Sequence, residues 1–337
     1  MSTSAPVEKR PTPETTKKPK RTTSFNEGTG RLAAGLLSPT MIVLILVIGL
    51  PILSALRESL YQSGQRIDEA GFIIQGSEFV GLENYSAIFS GETGDRFWNA
   101  FYNTTFFTVT CVLLETTLGV AMALVMHKAF KGRSIVRASI LVPWAIPTVV
   151  SALLWKWIFQ ADGIANDLLG TQILWSTEGW QSVMSVIIAD TWKTAPFIGL
   201  LVLAGLQTIP AEVYEAAKVD GANAWKTFTR ITLPLVKPAL LVAVLFRILD
   251  TLRIFDLPFV LVGPHKDSVE TLSMLAYDQA FNVRYGPAAA YATVLFIYVA
   301  VVAYMFVKIL GADVIGDARA KTPGRRRRRA AVKGAQA

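Results

Sequence analysis

The sequence predicts an all-α, polytopic membrane protein with six transmembrane helices. Of 337 residues, 52% are hydrophobic and only 17% charged, a balance too apolar for a typical soluble chain. The apolar residues come in blocks that reach the ~20 residues needed to cross a bilayer, without the amphipathic rhythm of soluble helices. Lysines and arginines gather between those blocks with a strong sidedness. Lipid cannot satisfy exposed backbone groups, so each spanning block should be a helix.

Taken in order, residues 1–31 are rich in Thr, Lys and Pro, lack an apolar pattern, and are expected to be a disordered basic tail. The first apolar run starts near Leu32 and is long enough to span. It lacks a short h-region with a cleavage site, so a cleaved signal peptide is not expected. Spans are expected at 32–56, 101–126, 135–159, 183–206, 238–262 and 287–310, giving one transmembrane domain over 32–310. A second basic tail, 311–337, follows and contains five consecutive arginines at 325–329. Pro39, Pro51, Pro143, Pro147, Pro196 and Pro258 predict kinks or local unwinding. Such breaks are tolerated where neighbours or a cavity re-satisfy the backbone, which suits a bundle that lines a pathway.

The basic residues orient the chain. Twenty-four lie in the first tail, in the 128–137 and 218–237 segments and from Lys308 onward, against five in the segments on the other side. By the positive-inside rule both tails and the 209–237 loop face the cytoplasm. The net charge of +8 is therefore a membrane signal, with the basic tails facing anionic lipid rather than nucleic acid. The chemistry of an enzyme is missing. There is no G-x4-G-K-[ST] loop, no Ser/His/Asp triad and no metal-ligand spacing. Cys111 is the single cysteine, and the two histidines, His127 and His265, are far apart and receive no role.

The loop at 209–237 carries the most specific pattern. Glu215-Ala216-Ala217 is followed after three residues by Gly221, and after nine more by Ile231-Thr232-Leu233-Pro234. The run 211–219 favours helix, and Gly221 interrupts it, since glycine costs about 1 kcal/mol inside a helix. A second helical run, 222–231, is expected to be limited by Pro234 and Pro238. The small pair Ala216-Ala217 would admit a close backbone from another protein, and Glu215 offers it a charge.

This spacing, E-A-A-x3-G-x9-I-x-L-P, resembles the EAA loop of permease subunits in bacterial ABC importers. Phe79-Val80-Gly81-Leu82-Glu83-Asn84-Tyr85 resembles the F-x-G-L-x-N-Y signature of maltose-type sugar permeases; its plainer reading is a small extracellular strand and turn. Val219-Asp220-Gly221-Ala222 and the run Arg247-x-x-Asp250-x-x-Arg253-Ile-Phe-Asp256 are similar to trehalose importers of the actinobacterial type, although importers of maltose and related oligosaccharides share these motifs. The resemblance implies the type I permease fold and a plasma-membrane location. It implies docking to the ATPase through Glu215, Ala216, Ala217, Asp220, Gly221, Ile231, Leu233 and Pro234. The implied partners are a second, different permease subunit, two ATPase subunits that bind ATP and Mg, an extracytoplasmic sugar-binding lipoprotein, and the disaccharide. No cofactor is implied in this chain.

Two intramembrane stretches are candidates for the sugar pathway. The fifth span holds Arg247, Asp250, Arg253 and Asp256 at intervals of three, so Arg247–Asp250 and Arg253–Asp256 are expected to pair along one helix. Each charge costs about 2.5–3.5 kcal/mol at mid-bilayer unless it faces protein or water. Steps of 100° sweep the four round roughly half the helix, so some should meet the solute and others neighbouring helices. The fourth span offers Asp190, Trp192, Lys193 and Phe197, where aromatic faces lie beside hydrogen-bonding groups, as sugar rings require. An interfacial Trp with a paired Lys and Asp is the alternative. An ion-coupled secondary sugar transporter using the buried Arg and Asp residues is the competing function. A membrane scaffold is a third.

Overall fold

Prolines decide where these apolar blocks run on and where they break. The computed structural model describes residues 29–67 and 73–311; the basic tail before residue 29 and the 325–329 arginine run lie outside the described residues. Among the described residues, five helices are long and apolar enough to cross a membrane: Leu32–Glu58, Gly91–His127, Trp180–Gln207, Ala224–Thr251 and Tyr285–Ile309. A bent pair, Arg133–Ala145 with Thr148–Ile158, reaches the same length as one broken span. These are spans one, two, four, five and six, with the broken pair as span three. The chain divides into two units, residues 1–54 and 55–337.

The first unit contains most of span one, a continuous helix despite Pro39 and Pro51. A π-helical turn, Ile45–Gly49, lies just before Pro51, and the Leu50 N–H bonds back five residues to the Ile45 carbonyl. Proline clashes with the carbonyl four residues earlier, and a wider turn at that place relieves the crowding.

In the second unit the same device overturns one expectation. Pro234 and Pro238 do not limit the helix that begins after Gly221. A π-helical turn at Phe228–Thr232 precedes Pro234, the Leu233 N–H bonds to the Phe228 carbonyl, and the helix runs on through both prolines to Thr251. Span five also ends sooner than expected. Beyond Thr251 the chain leaves the helix, and only a short helix, Asp256–Leu261, follows. Arg253 and Asp256 thus lie outside the helix that carries Arg247 and Asp250. No ion pair joins Arg253 to Asp256 among the described residues; the Arg253 Nε instead bonds the Leu249 carbonyl at 3.0 Å.

Span three turns by 97° at Ile146-Pro147. Proline drives the residue before it out of the helical region, and Ile146 has φ −76° and ψ 134°. Span four is the central post: 72% of its apolar window is buried, against 33% in span two and 22% in span five. Spans two and four approach closely at Gly119, where a Cβ would come within 2.8 Å of the Ile198 side chain. Small residues at helix crossings let membrane helices pack through direct contact.

Away from the EAA loop, β1 (Tyr61–Ile67) and β2 (Ile73–Phe79) form an antiparallel hairpin, with Tyr61 opposite Phe79. The Asn84 amide donates 2.9 Å bonds to the carbonyls of Ser59 and Tyr61, and the Tyr85 hydroxyl lies 2.6 Å from Ser59 Oγ. The F-x-G-L-x-N-Y stretch is therefore a strand end, a turn and a short helix whose Asn and Tyr pin the chain ahead of the hairpin.

Candidate functional site

Span two is the rod along which the site is laid out. At one end Arg96 bonds Glu270 and Asp278. At the other, the His127 ring lies 6.4 Å from the Tyr214 ring of the EAA loop. Between them is Glu115, fully buried. At 1.5 Å per residue, Glu115 is about 28 Å along the helix from Arg96 and about 18 Å from His127.

Glu115 meets Arg247 of span five. The Arg247 Nε donates to Glu115 Oε2 at 2.5 Å and one Nη to Oε1 at 3.0 Å, a bidentate fork. The same Nη bonds Asp190 of span four, and the other bonds Asp250 at 2.6 Å. The Thr194 hydroxyl donates to Glu115 Oε1 at 2.5 Å. One guanidinium thus joins carboxylates from three spans. A planar five-donor fork can do this and an ammonium cannot. Cys111 completes the wall: its sulfur and the Glu115 and Asp190 carboxylates have ligating atoms within 4.8 Å of one another, and Arg247 supplies the positive charge there.

Lys193 is turned the other way. Its Nζ donates at 2.9 Å to the carbonyl of Ile146, in the break of span three. The break frees backbone acceptors inside the bundle, and burying one unbonded is costly. The ammonium satisfies one of them, and Trp144 and Thr148, on either side of the break, line the cavity below.

That cavity has a volume of about 180 Å³ and is open on one side. Six of the eight sequence-predicted pathway residues line it: Asp190, Lys193, Arg247, Asp250, Arg253 and Asp256. The other two stand behind the wall. Trp192 packs edge-on against Trp155 of span three at 5.6 Å, and Phe197 stacks at 5.8 Å on Trp144, which does line the cavity. Sequence reasoning missed Glu115, Thr194, Trp144 and Phe255. A lone carboxylate in an otherwise apolar span was the signal for Glu115.

The EAA loop lies at the His127 end of span two. Helix Ala211–Val219 closes with a Schellman motif: Gly221, at φ +71°, donates to Lys218, and Ala222 donates to Ala217. Only glycine takes that φ freely. Asn223 then caps the next helix by accepting from the Lys226 N–H. Glu215, Ala216 and Asp220 are exposed, but Ala217 is buried at 4% exposure. Successive helix residues face directions 100° apart, so only Ala216 of the alanine pair is open to another protein; Ala217 packs within this chain. Gly221 and Pro234 are exposed, and Ile231 and Leu233 half-buried.

Comparison with known proteins fixes the class. The fold matches a crystal structure of a bacterial ABC transporter involved in the import of the acidic polysaccharide alginate, with TM-score 0.68 and 22% identity over 83% of this chain and 96% of that one. The molecule therefore has the helical architecture of an ABC importer permease. Residues 115–316 match the family described as binding-protein-dependent transport system inner membrane component, and the chain belongs to that family. It is 38% identical to a trehalose transport system permease protein, SugA, of Mycobacterium tuberculosis, over 85% of this chain and 91% of that one. It is 36% identical to a trehalose/maltose transport system permease protein, MalF, of Thermococcus litoralis (80% and 90% covered). A sulfoquinovosyl glycerol transport system permease protein, SmoG, of Agrobacterium fabrum is 33% identical (87% and 94% covered). The chain is thus a multi-pass membrane subunit of an ABC importer and not itself an enzyme, and the ion-coupled alternative has no support.

Proposed function

We propose that this chain lines half of the pathway of an ATP-driven importer for a neutral disaccharide of the trehalose or maltose kind. The observation that carries this reading is the cavity where spans three, four and five meet. Asp190, Asp250 and Asp256 line it together with Lys193, Arg247 and Arg253, three acidic and three basic side chains, and Trp144 and Phe255 line it as well. Such a wall offers donors and acceptors to hydroxyls and ring faces to C–H surfaces, without a net field that would favour an anion. The trehalose and maltose relatives support the choice of sugar. Balanced charge argues against a sulfonated glycoside of the kind the more distant relative carries.

In this reading both termini and the EAA loop are cytoplasmic. A second, different permease completes the pathway, two ATPase subunits bind ATP and Mg, and an extracytoplasmic lipoprotein delivers the sugar. Glu215, Ala216, Asp220 and Gly221 present the docking surface to the ATPase, with Ile231, Leu233 and Pro234 bracing it and Ala217 packed beneath. Tyr214 links that surface to the end of span two through His127 and, by a 3.5 Å contact, to Thr232 of span five. The pathway residues divide. Arg247 is held by carboxylates, and Lys193 by the span-three break. Asp250, whose side chain is 68% exposed, Arg253 and Asp256 are the charges free to meet sugar. The test is ATP-dependent uptake by the reconstituted complex of labelled trehalose, maltose and a sulfonated glycoside. Uptake of the neutral disaccharides alone is expected; uptake without ATP, or preference for the anion, would overturn the reading.

A further inference from the structure

A second cavity, of about 190 Å³ and open to one side, lies at the Arg96 end of span two, away from the EAA loop. One wall is aromatic: Phe259, Tyr277 and Phe281. The opposing edge is polar. The Glu270 carboxylate, 2% exposed, and Asp278 are fixed by the Arg96 guanidinium at 2.6 to 3.2 Å, and His265 stands beside them, 3.7 Å from Asp278. A carboxylate oxygen accepts more than one hydrogen bond, so these groups keep acceptor capacity towards the cavity.

The aromatic wall does not stop there. Phe281 stacks on Tyr277 at 5.9 Å, Tyr277 meets Phe259 edge-on at 5.3 Å, and Phe259 stacks on Phe255 at 4.9 Å. Tyr277 also touches Phe255 at 4.9 Å. Phe255 lines the central charged cavity. Four rings therefore run without a gap from the outer cavity to the central one, and the two outermost are exposed, Tyr277 at 42% and Phe281 at 74%.

We propose that the outer cavity is a second sugar subsite and that the four rings are a track from it to the central cavity. A pyranose presents C–H groups on its faces and hydroxyls round its rim. Ring faces hold the former with little dependence on position, while Glu270 and Asp278 accept from the latter at the outer end. A ring track gives many nearly equal positions, so the solute can advance without leaving one deep well.

This inference rests on the disaccharide-import reading, and the experiment separates the two. The full complex, with both permeases, ATPase subunits and binding lipoprotein, is reconstituted with Tyr277→Leu, Phe281→Leu or Tyr277→Phe in this chain. Uptake of labelled neutral disaccharide is measured per assembled complex. The leucine variants keep apolar bulk and lose the ring face; at the energy of one aromatic contact, uptake should fall about two- to tenfold. Tyr277→Phe should transport like the parent. Unchanged uptake in both leucine variants would overturn the track. So would an equal loss in Tyr277→Phe, which would assign the effect to the hydroxyl. Reduced assembly at unchanged uptake per complex would also overturn it, because the rings would then be packing against the second permease. No disaccharide uptake by the parent complex would instead overturn the import reading, and this one with it.

Discussion

Replacing Arg247 by leucine tests how the bundle is held together. Pairing along span five alone would predict that Arg247→Leu and Asp250→Leu each weaken the complex and that the double variant recovers. The geometry predicts otherwise. Arg247 is 3% exposed and also serves Glu115, which is fully buried, and Asp190, at 5%. Removing it strands both carboxylates, and breaking a buried ion pair costs about 3–5 kcal/mol. Asp250 is 68% exposed on its side chain, so its loss is a surface-type event of about 0–1 kcal/mol. The double variant should therefore be as unstable as Arg247→Leu, whereas Arg247→Leu with Glu115→Leu should recover part of the loss. The assay is the yield of assembled complex from membranes together with its thermal unfolding midpoint in detergent. Recovery to the parent level in Arg247→Leu/Asp250→Leu would refute the three-span network, as would a stable single Arg247→Leu.

Other outcomes follow from the same contacts. Gly221→Pro cannot adopt φ +71° and should abolish coupling, read as ATP hydrolysis without uptake or as loss of the bound ATPase, while the chain remains in the membrane. Lys193→Met leaves the half-buried Ile146 carbonyl without its donor, a lost hydrogen bond of about 0.5–1.5 kcal/mol; uptake should fall, and Lys193→Arg should restore more of it. Gly119→Leu drives a side chain into Ile198 and the Ala195 carbonyl, so complex yield should drop more than for Gly119→Ala. Asn84→Ala orphans the Ser59 and Tyr61 carbonyls and should lower the melting temperature with little change in uptake per complex.

Much of this was legible in the chain because membrane spans are written as long apolar blocks. The EAA spacing was equally legible: its glycine takes the left-handed conformation that closes the first helix. Apolarity, however, does not mark where a helix stops. Residues 252–262 remain largely apolar, and although Arg253, Asp256 and Pro258 signal a break among them, composition does not place the helix end at Thr251. Pro234 misled for a related reason: a wide turn one residue earlier makes room for it, and such a turn leaves no composition signal. The charge cluster was half visible. Spacing along span five gave Arg247 to Asp250, but Glu115 is 132 positions away and Asp190 57. Tertiary contacts at such separations are set by the crossing of helices, which periodicity along one helix does not contain. Ala217 shows the same limit on a smaller scale, since the motif does not say which alanine faces inward.

The 37 residues of Gly91–His127 form one unbroken helix of roughly 55 Å, far longer than a ~30 Å hydrocarbon layer. It touches the EAA loop at one end and the Glu270–Asp278 cluster at the other, and it is gripped between them at Glu115. The grip makes a fulcrum with unequal arms, about 18 Å on the EAA-loop side and about 28 Å on the far side. A tilt of about 10° around Glu115 shifts the EAA-loop end by ~3 Å and the far end by ~5 Å along these arms. The lever thus favours travel over force: a small displacement at the EAA loop becomes a larger one at the Glu270–Asp278 cluster.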